Sequence, residues 1–541
     1  MKKMLLLVAA MLTAATTFAQ FDTFTGEPTW TKTIVGAVEE ASDVYVNAPV
    51  AITSQGDVIK TGTFTQAFTF AGATLEPIAK SAYILKYDKD GNEVWGTALK
   101  GAATVTAITT DEEGNIYLAG RFADKVVVGS TNGETVEIEG AEDNTEQVSG
   151  FIVAYDKDGK LLAQKAVAPT YDLELFMTAL MNDGFYLAEP KFIINKIEVA
   201  NDKVYASANY MGNCTIDEVE LEGKIYDMFG MQSFCFDLNN FAVIQLDKDL
   251  TNAKLLANVS TSDEALYGEL QMEPQALNFT VDGDNVYVVW TGWGDLTMTT
   301  EKGSKDFSFE IGESEGDGNE HGFVVANVTT GDTKAFNAPL EGSVANFYTI
   351  TGTQVEDGKL YIGGTYIGAL AFDNEKTSTS ACDAFLAAVN TADFSVAWAA
   401  TSGIDEGESN KFNEISIPGL FVGDGVASMV VNAIDMDTKA ISKCYAFAYV
   451  PVMSQSMTVE VPFMLTAGAT SIAGTVVNSN INVASTLIYY ADEEFVQGIE
   501  TLDNGQTTDN GAVYNLQGQR VTKATKGVFI QNGKKVIKNE E

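Results

Sequence analysis

The chain has 541 residues, 45% of them hydrophobic and 10% aromatic, with 33 basic and 74 acidic side chains and a formal net charge of −41. That length allows roughly two to four domains with large cores, and the acidic excess argues against nucleic acid and anionic lipid as partners. The first residues predict an export signal: Lys2 and Lys3, an apolar run from Leu5 to Ala15, and the small-residue site Thr17-Phe-Ala19 before Gln20. The run is too short for a bilayer span, no later stretch approaches ~18 apolar residues, and no cysteine follows the cleavage site to take a lipid anchor. Residues 1–19 are read as a signal peptide, and the mature chain as exported and soluble, with no transmembrane segment. Its place is then extracellular, at the cell surface or in the periplasm.

In chain order, the first element is a strand over Trp30–Gly36. The clearest stretch follows at Ala82–Gly120, which reads as four short strands: Ala82–Asp88, Glu93–Leu99, Val105–Thr110 and Asn115–Gly120. Asp88-Lys-Asp-Gly91 and Asp111-Glu-Glu-Gly114 supply the turns, each with a glycine free to take positive φ. Four such strands form a sheet too small to bury both faces alone, so copies must stack. The third-strand aromatic recurs at Tyr83, Phe151, Phe241, Phe323, Phe385 and Phe447, spaced 62 to 90 residues apart. The second strand recurs at Gly56-Asp-Val-Ile59, Asp202-Lys-Val-Tyr205, Asp284-Asn-Val-Tyr287, Gly358-Lys-Leu-Tyr361, Gly423–Val431 and Asn480–Tyr490.

Period-2 strands, glycine turns and a long four-strand repeat predict an all-β chain, a β-propeller. The count gives seven blades, with six or eight as the neighbouring counts because the last two copies are degraded. Trp30–Gly36 has no upstream partner, while the last hairpin, Thr470–Val477 with Asn482–Tyr490, lacks an outer strand. The N-terminal strand is therefore expected to complete the C-terminal blade and hide two sheet edges. This gives a propeller over residues 20–497, a linker over 498–510 and a small antiparallel β module over 511–541.

Asp383-Ala-Phe-Leu-Ala-Ala-Val389 with Trp398, and Gly114-Asn-Ile-Tyr-Leu-Ala-Gly120, resemble the bacterial secreted beta-propeller repeat (SBBP) proteins, over roughly residues 30–490. The resemblance implies a secreted or surface protein and little chemistry. Gly511-Ala-Val-Tyr-Asn-Leu-Gln-Gly-Gln-Arg-Val521 and Lys526-Gly-Val-Phe-Ile-Gln-Asn-Gly-Lys-Lys-Val536 resemble the C-terminal sorting domain of type IX secretion. That implies a partner in the secretion and outer-membrane machinery.

Candidate chemistry is sparse. The Asp-x-Asp-Gly turns at Asp88–Gly91 and Asp156–Gly159 lack the oxygen ligands of a calcium loop and serve as hairpin turns. The single histidine, His321, has no visible catalytic partner. No metal, cofactor or catalytic residue is assigned, although a carboxylate pair among so many acids leaves open a polysaccharide hydrolase or lyase. Cys214 and Cys235 flank one insertion and are expected to pair, whereas Cys382 and Cys444 occupy equivalent places in successive blades and are expected as thiols.

Trp290 stands where other blades carry Gly62, Gly120, Ala208 and Gly364. It either fills a void in the core or, with Trp293, forms a stacking platform for a ligand. Trp30, Trp95 and Trp398 recur at one outer-strand position and read as packing between blades. Long acidic loops carry Glu39 and Asp43, Asp263 and Glu264, and Asp405 and Glu406, on the face where propellers place ligands. The reading is a monomeric, non-catalytic binder of protein or glycan at that face.

Overall fold

The structure is a computed structural model. It describes residues 30–35 and 49–490, apart from 142–145, 229, 231, 267–272, 310–321, 338–346, 404–411, 424–425, 436–439, 451–453, 462–464, 468–470 and 479–482. It also describes strands at 513–514, 527–531 and 534–538. The chain divides into two units, Pro28–Ile488 and the two chain ends together. In the latter, Gly527–Gln531 pairs antiparallel with Val513–Tyr514 on one side and Lys534–Lys538 on the other.

Among the described residues the larger unit holds seven antiparallel sheets built on four strands, here I to VII in chain order. Sheet II is typical: Ala103–Thr110, Ile116–Phe122, Ser149–Tyr155 and Leu161–Val167 pair in sequence. The two middle strands are buried almost throughout and the outer one alternates, because sheets I and III cover the two faces of sheet II. Ile116 and Leu118 pack toward sheet I, while Tyr117 and Ala119 pack toward sheet III, as a two-residue period requires. First strands of successive sheets lie side by side along the chain.

Turn chemistry behaves as read. The Asp88 carboxylate accepts the N–H groups of Asp90 at 2.9 Å and Asn92 at 2.7 Å; Asp156 does the same for Asp158 and Lys160. Gly91 and Gly159 sit at φ 80° and 79°. Trp95 donates its indole N–H to the Lys157 carbonyl of sheet II at 3.0 Å, and Trp398 stacks 4.1 Å from Tyr449 of sheet VI. These outer-strand tryptophans bind one sheet to the next.

Trp30–Val35 pairs antiparallel with Val483–Tyr490, Trp30 opposite Ile488 and Val35 opposite Val483. One role differs from the sequence reading. Leu465–Ala467 is the first strand of sheet VII and Ser471–Asn478 the second, so Val483–Tyr490 is the third strand and not the second. The three-residue strand Leu465–Ala467 is too short to show a period.

Three further features were not read from sequence. Two of the hairpins inserted between second and third strands join the preceding sheet. Lys125–Gly129 with Thr135–Glu139 extends the outer edge of sheet I, and Gly294–Thr300 with Gly303–Phe309 extends that of sheet III. Each thus covers the edge of the preceding sheet. Between sheets II and III lies the one α-helix among the described residues, Leu173–Met181, capped by Asp172 accepting the Leu175 N–H at 2.9 Å. Beside it Phe185–Leu187 pairs parallel with Phe234–Leu238, which pairs antiparallel with Lys224–Asp227.

The expected Cys214–Cys235 bridge is corrected: both are free and buried. Cys214 packs with Ile216 and Leu221 in the core between sheets II and III, while Cys235 packs on Ala179 and Tyr186 of the insert. Flanking one insertion does not bring two thiols together when its ends join different sheets. Cys382 and Cys444 lie on the third strands of sheets V and VI.

Candidate functional site: a cavity lined by bulged first strands

The first strands of sheets I to VI line one cavity of about 800 Å³. Four of these strands carry a bulge, opposite Gly120, Ala208 and Gly364 in sheets II, III and V and opposite Gly292, two positions nearer the strand's start, in sheet IV. In sheet II the register slips between Val105 and Ala107, leaving Thr106 unpaired. In sheets III, IV and V the residues left out are Asn195, Gln275 and Thr351. All four are polar and all four line the cavity. A bulge takes one residue out of the ladder and re-aims its side chain, so four hydroxyl or amide groups are delivered to one space. Thr106 donates to the Ile194 carbonyl at 2.5 Å and Thr351 to the Gly363 carbonyl at 3.2 Å.

At the end where the first strands begin, the amide side chains form a chain. Asn195 donates to the Asn209 side chain at 3.3 Å, and Asn209 to the Asn239 side chain at 3.2 Å. The Asn239 backbone N–H then donates to the Glu273 carboxylate at 2.6 Å. Burial pushes the Glu273 carboxyl above its ordinary range, opposed by the Asn239 N–H and the Lys191 charge.

Toward the other end, the Lys196 ammonium donates to the Asn278 side chain at 3.2 Å and to the Phe279 carbonyl, and it lies 3.4 Å from Glu198. Burial lowers its pKa, with Glu198 opposing. Thr353 of sheet V also donates to Asn278, at 2.8 Å. Lys196 therefore ties three sheets together and has its donors engaged. The accessible groups of the cavity are amides and hydroxyls together with the Lys191 ammonium and the Glu273 carboxyl, whose charged form burial disfavours, a lining suited to hydrogen-bonding a polar ligand.

None of the candidate site residues named from sequence lines this cavity among those described. Trp290 is fully buried, and the platform alternative is corrected to core. In sheets II and V the third-strand aromatic faces the slot glycine across the ladder, Phe151 opposite Gly120 and Phe385 opposite Gly364. A Cβ on Gly120 would stand 2.6 Å from the Phe151 ring. In sheet IV, Phe323 pairs one place further on, with Thr291, and packs toward sheet V. A one-residue offset puts a side chain on the opposite face, and Trp290 supplies the missing bulk toward sheet III. Its ring meets Phe307 edge-on at 5.2 Å and its N–H points to the Met298 sulfur at 3.3 Å.

Trp293 is half-buried at the start of the hairpin. Asp263 is exposed, paired with Lys224, and lines a separate cavity of about 830 Å³ with Glu222, Asp295 and Asp306. Glu264 lies in the 3-10 turn Asp263–Leu266. Glu39, Asp43, Asp405, Glu406 and His321 lie outside the described residues. The missed cavity residues left no distinct trace in sequence, since Thr106 and Thr351 each follow another threonine two places earlier, in Thr104-Val-Thr106 and Thr349-Ile-Thr351.

No protein-family model matches the chain. A WD repeat-containing protein, L264, of Acanthamoeba polyphaga mimivirus is 26% identical over 189 residues, which is 32% of this chain and 13% of that protein. The chain thus matches only a small part of that relative's length. Similar solved structures are propeller-like proteins. An exo-1,5-alpha-L-arabinanase from a bovine ruminal metagenomic library aligns at TM-score 0.30 and 9% identity, covering 67% of this chain and 97% of its own. An alpha-L-arabinofuranosidase of Fusarium graminearum gives 0.32 and 8%, covering 76% and 94%. Virginiamycin B lyase of Staphylococcus aureus gives 0.28 and 9%, covering 70% and 93%. Likeness at this level carries nothing about substrate or chemistry. Among the described residues no helix is long and apolar enough to cross a membrane.

Proposed function

We propose that the sheets form a seven-bladed β-propeller closed by Trp30–Val35, and that the mature chain is an exported, monomeric, non-catalytic binding protein. Its ligand, glycan or protein, is taken at the face where the first strands begin. Two observations support closure: the pairing of Trp30–Val35 with the last hairpin, and the reach of the Lys32 charge to Asp88 of sheet I. The Asp88 carboxyl is held below its ordinary range first by the Asn92 side chain, with Lys32 adding to it. Residues 511–541 are proposed to engage secretion machinery as a sorting-type tail.

The observation that carries the binding reading is the set of four polar bulge residues opening on one cavity. Bulges of this kind cost ladder hydrogen bonds and persist where a side chain has to be aimed. The test is a glycan array probed with the parent and with an Asn195→Ala, Gln275→Ala double variant. A glycan that binds the parent should bind the variant at least tenfold more weakly with the fold unchanged. Equal binding would remove the cavity from the function.

A second reading, a carboxylate-dependent polysaccharide hydrolase or lyase, is favoured by one residue. Glu273 is a cavity carboxyl with a raised pKa, the property of a general acid. Turnover of a polysaccharide by the parent that is abolished in Glu273→Gln would establish this reading and overturn the non-catalytic one.

A further inference from the structure

The insert between sheets II and III is built with its apolar side outward. Along the helix, Leu173, Phe176, Met177, Leu180 and Met181 are exposed, between 36% and 73% of their surface. Their spacing is that of one helical face, and the opposite side, at Ala179, is the side buried on Tyr186 and Cys235. Phe185 and Leu187 of the adjoining strand are also exposed. Eight of the thirteen exposed large hydrophobic side chains among the described residues belong to this insert, and a ninth, Met228, follows the strand Lys224–Asp227, so the apolar surface is concentrated where single scattered residues would be ordinary. Helix stability alone does not ask for such a stripe, because a nine-residue helix holds only through packing and its packing is on the other side.

The surround of the stripe selects its occupant. Residues 168–190 contain four acidic and no basic side chains, and residues 212–239 six acidic and one basic. Glu174, Asp183 and Glu189 are exposed at the border of the stripe. A second copy of this chain would bring the same acidic border against itself, and an anionic lipid surface would be repelled likewise. Methionine and leucine side chains on such a face adapt to an apolar groove or helix.

We propose that Leu173–Met181, with Phe185 and Leu187, is a docking surface for a protein partner presenting an apolar helix or groove bordered by Lys and Arg. The inference goes beyond ligand binding in the cavity and stands apart from it.

The test uses the mature full chain against a displayed library of amphipathic helical peptides, with the apolar face fixed and the border positions randomised among Lys, Glu and Ser. Enriched peptides should carry Lys borders. They should bind at least tenfold more weakly to a Leu173→Ser, Leu180→Ser, Met181→Ser variant, whose substitutions are all exposed, and more weakly as salt is raised. A second variant, Glu174→Lys with Asp183→Lys, keeps the apolar face and should shift the preference to Glu borders. Failure to enrich any peptide, enrichment indifferent to border charge, or binding unchanged in both variants would overturn the proposal. So would a parent dimer abolished by the serine variant, which would make a second copy the occupant, or binding of the parent to phosphatidylcholine vesicles through the same residues. Peptides that survive the serine variant and are lost on Asn195→Ala, Gln275→Ala would refute this surface and leave the cavity reading standing.

Discussion

Replacing Trp290 by alanine tests whether the register offset of sheet IV has been understood. The indole is fully buried among Leu277, Leu296, Met298 and Phe309. Removing about 200 Å² of aromatic surface at ~25 cal/mol per Å² forfeits about 5 kcal/mol. Partial collapse of the hairpin onto the smaller side chain returns part of this, so a loss of ~3–5 kcal/mol is expected. The loss should not be spread evenly. Hairpin Gly294–Phe309 is held by its ladder to Lys254–Thr261 and by Leu296, Met298 and Phe309 packing around Trp290. It should therefore open before the sheets do. Urea unfolding with hydrogen exchange read by mass spectrometry measures both effects: a lowered midpoint, and exchange in residues 294–309 accelerated well beyond that of Asn285–Gly292. Trp290→Phe, which keeps a ring against Phe307, should lose less than half as much. A loss below about 1 kcal/mol with hairpin exchange unchanged would refute the account and return Trp290 to the surface.

Glu273→Gln should change the pH dependence of stability. Burial raises the Glu273 pKa in the folded state, so its contribution is fully present below the unfolded carboxyl pKa and is lost as pH rises through the raised folded value. Relative to the parent, the glutamine variant should gain stability between pH 4 and pH 7; urea midpoints that shift the other way, or not at all, would contradict the assignment. Burial pushes the Cys214 thiol up to about 12 and the Cys235 thiol up to about 11. Both should resist maleimide in the native protein and react on unfolding, and a Cys214–Cys235 peptide in non-reducing mass spectrometry would overturn the fold of the insert. Deleting residues 20–37 exposes the edge of Val483–Tyr490. Far-UV circular dichroism should change little while protease nicking near that strand and aggregation rise; a deletion variant as resistant as the parent would make the N-terminal strand an appendage.

How much was legible in the amino-acid sequence can be judged strand by strand. The four-strand order, the Asp-Gly turns, the third-strand aromatics and the outer-strand tryptophans were readable because each depends on neighbours within a few residues: a glycine at positive φ, a two-residue alternation, a buried run. The sequence also placed Trp30–Gly36 with the last hairpin, since an unpaired strand at each end of a repeat leaves one economical pairing. Other features were decided only by tertiary structure. Whether Trp290 faces core or solvent turned on a single step of register between Phe323 and its partner strand, which local pattern cannot set. A hairpin within Gly294–Phe309 is a local pattern, but that it and Lys125–Glu139 extend the preceding sheets was decided by the open edges of those sheets. Thr106, Asn195, Gln275 and Thr351 are unremarkable polar residues in four separate strands. They become a candidate site because bulges in four strands turn them into one cavity, and a bulge is a relation between two strands that neither strand carries alone.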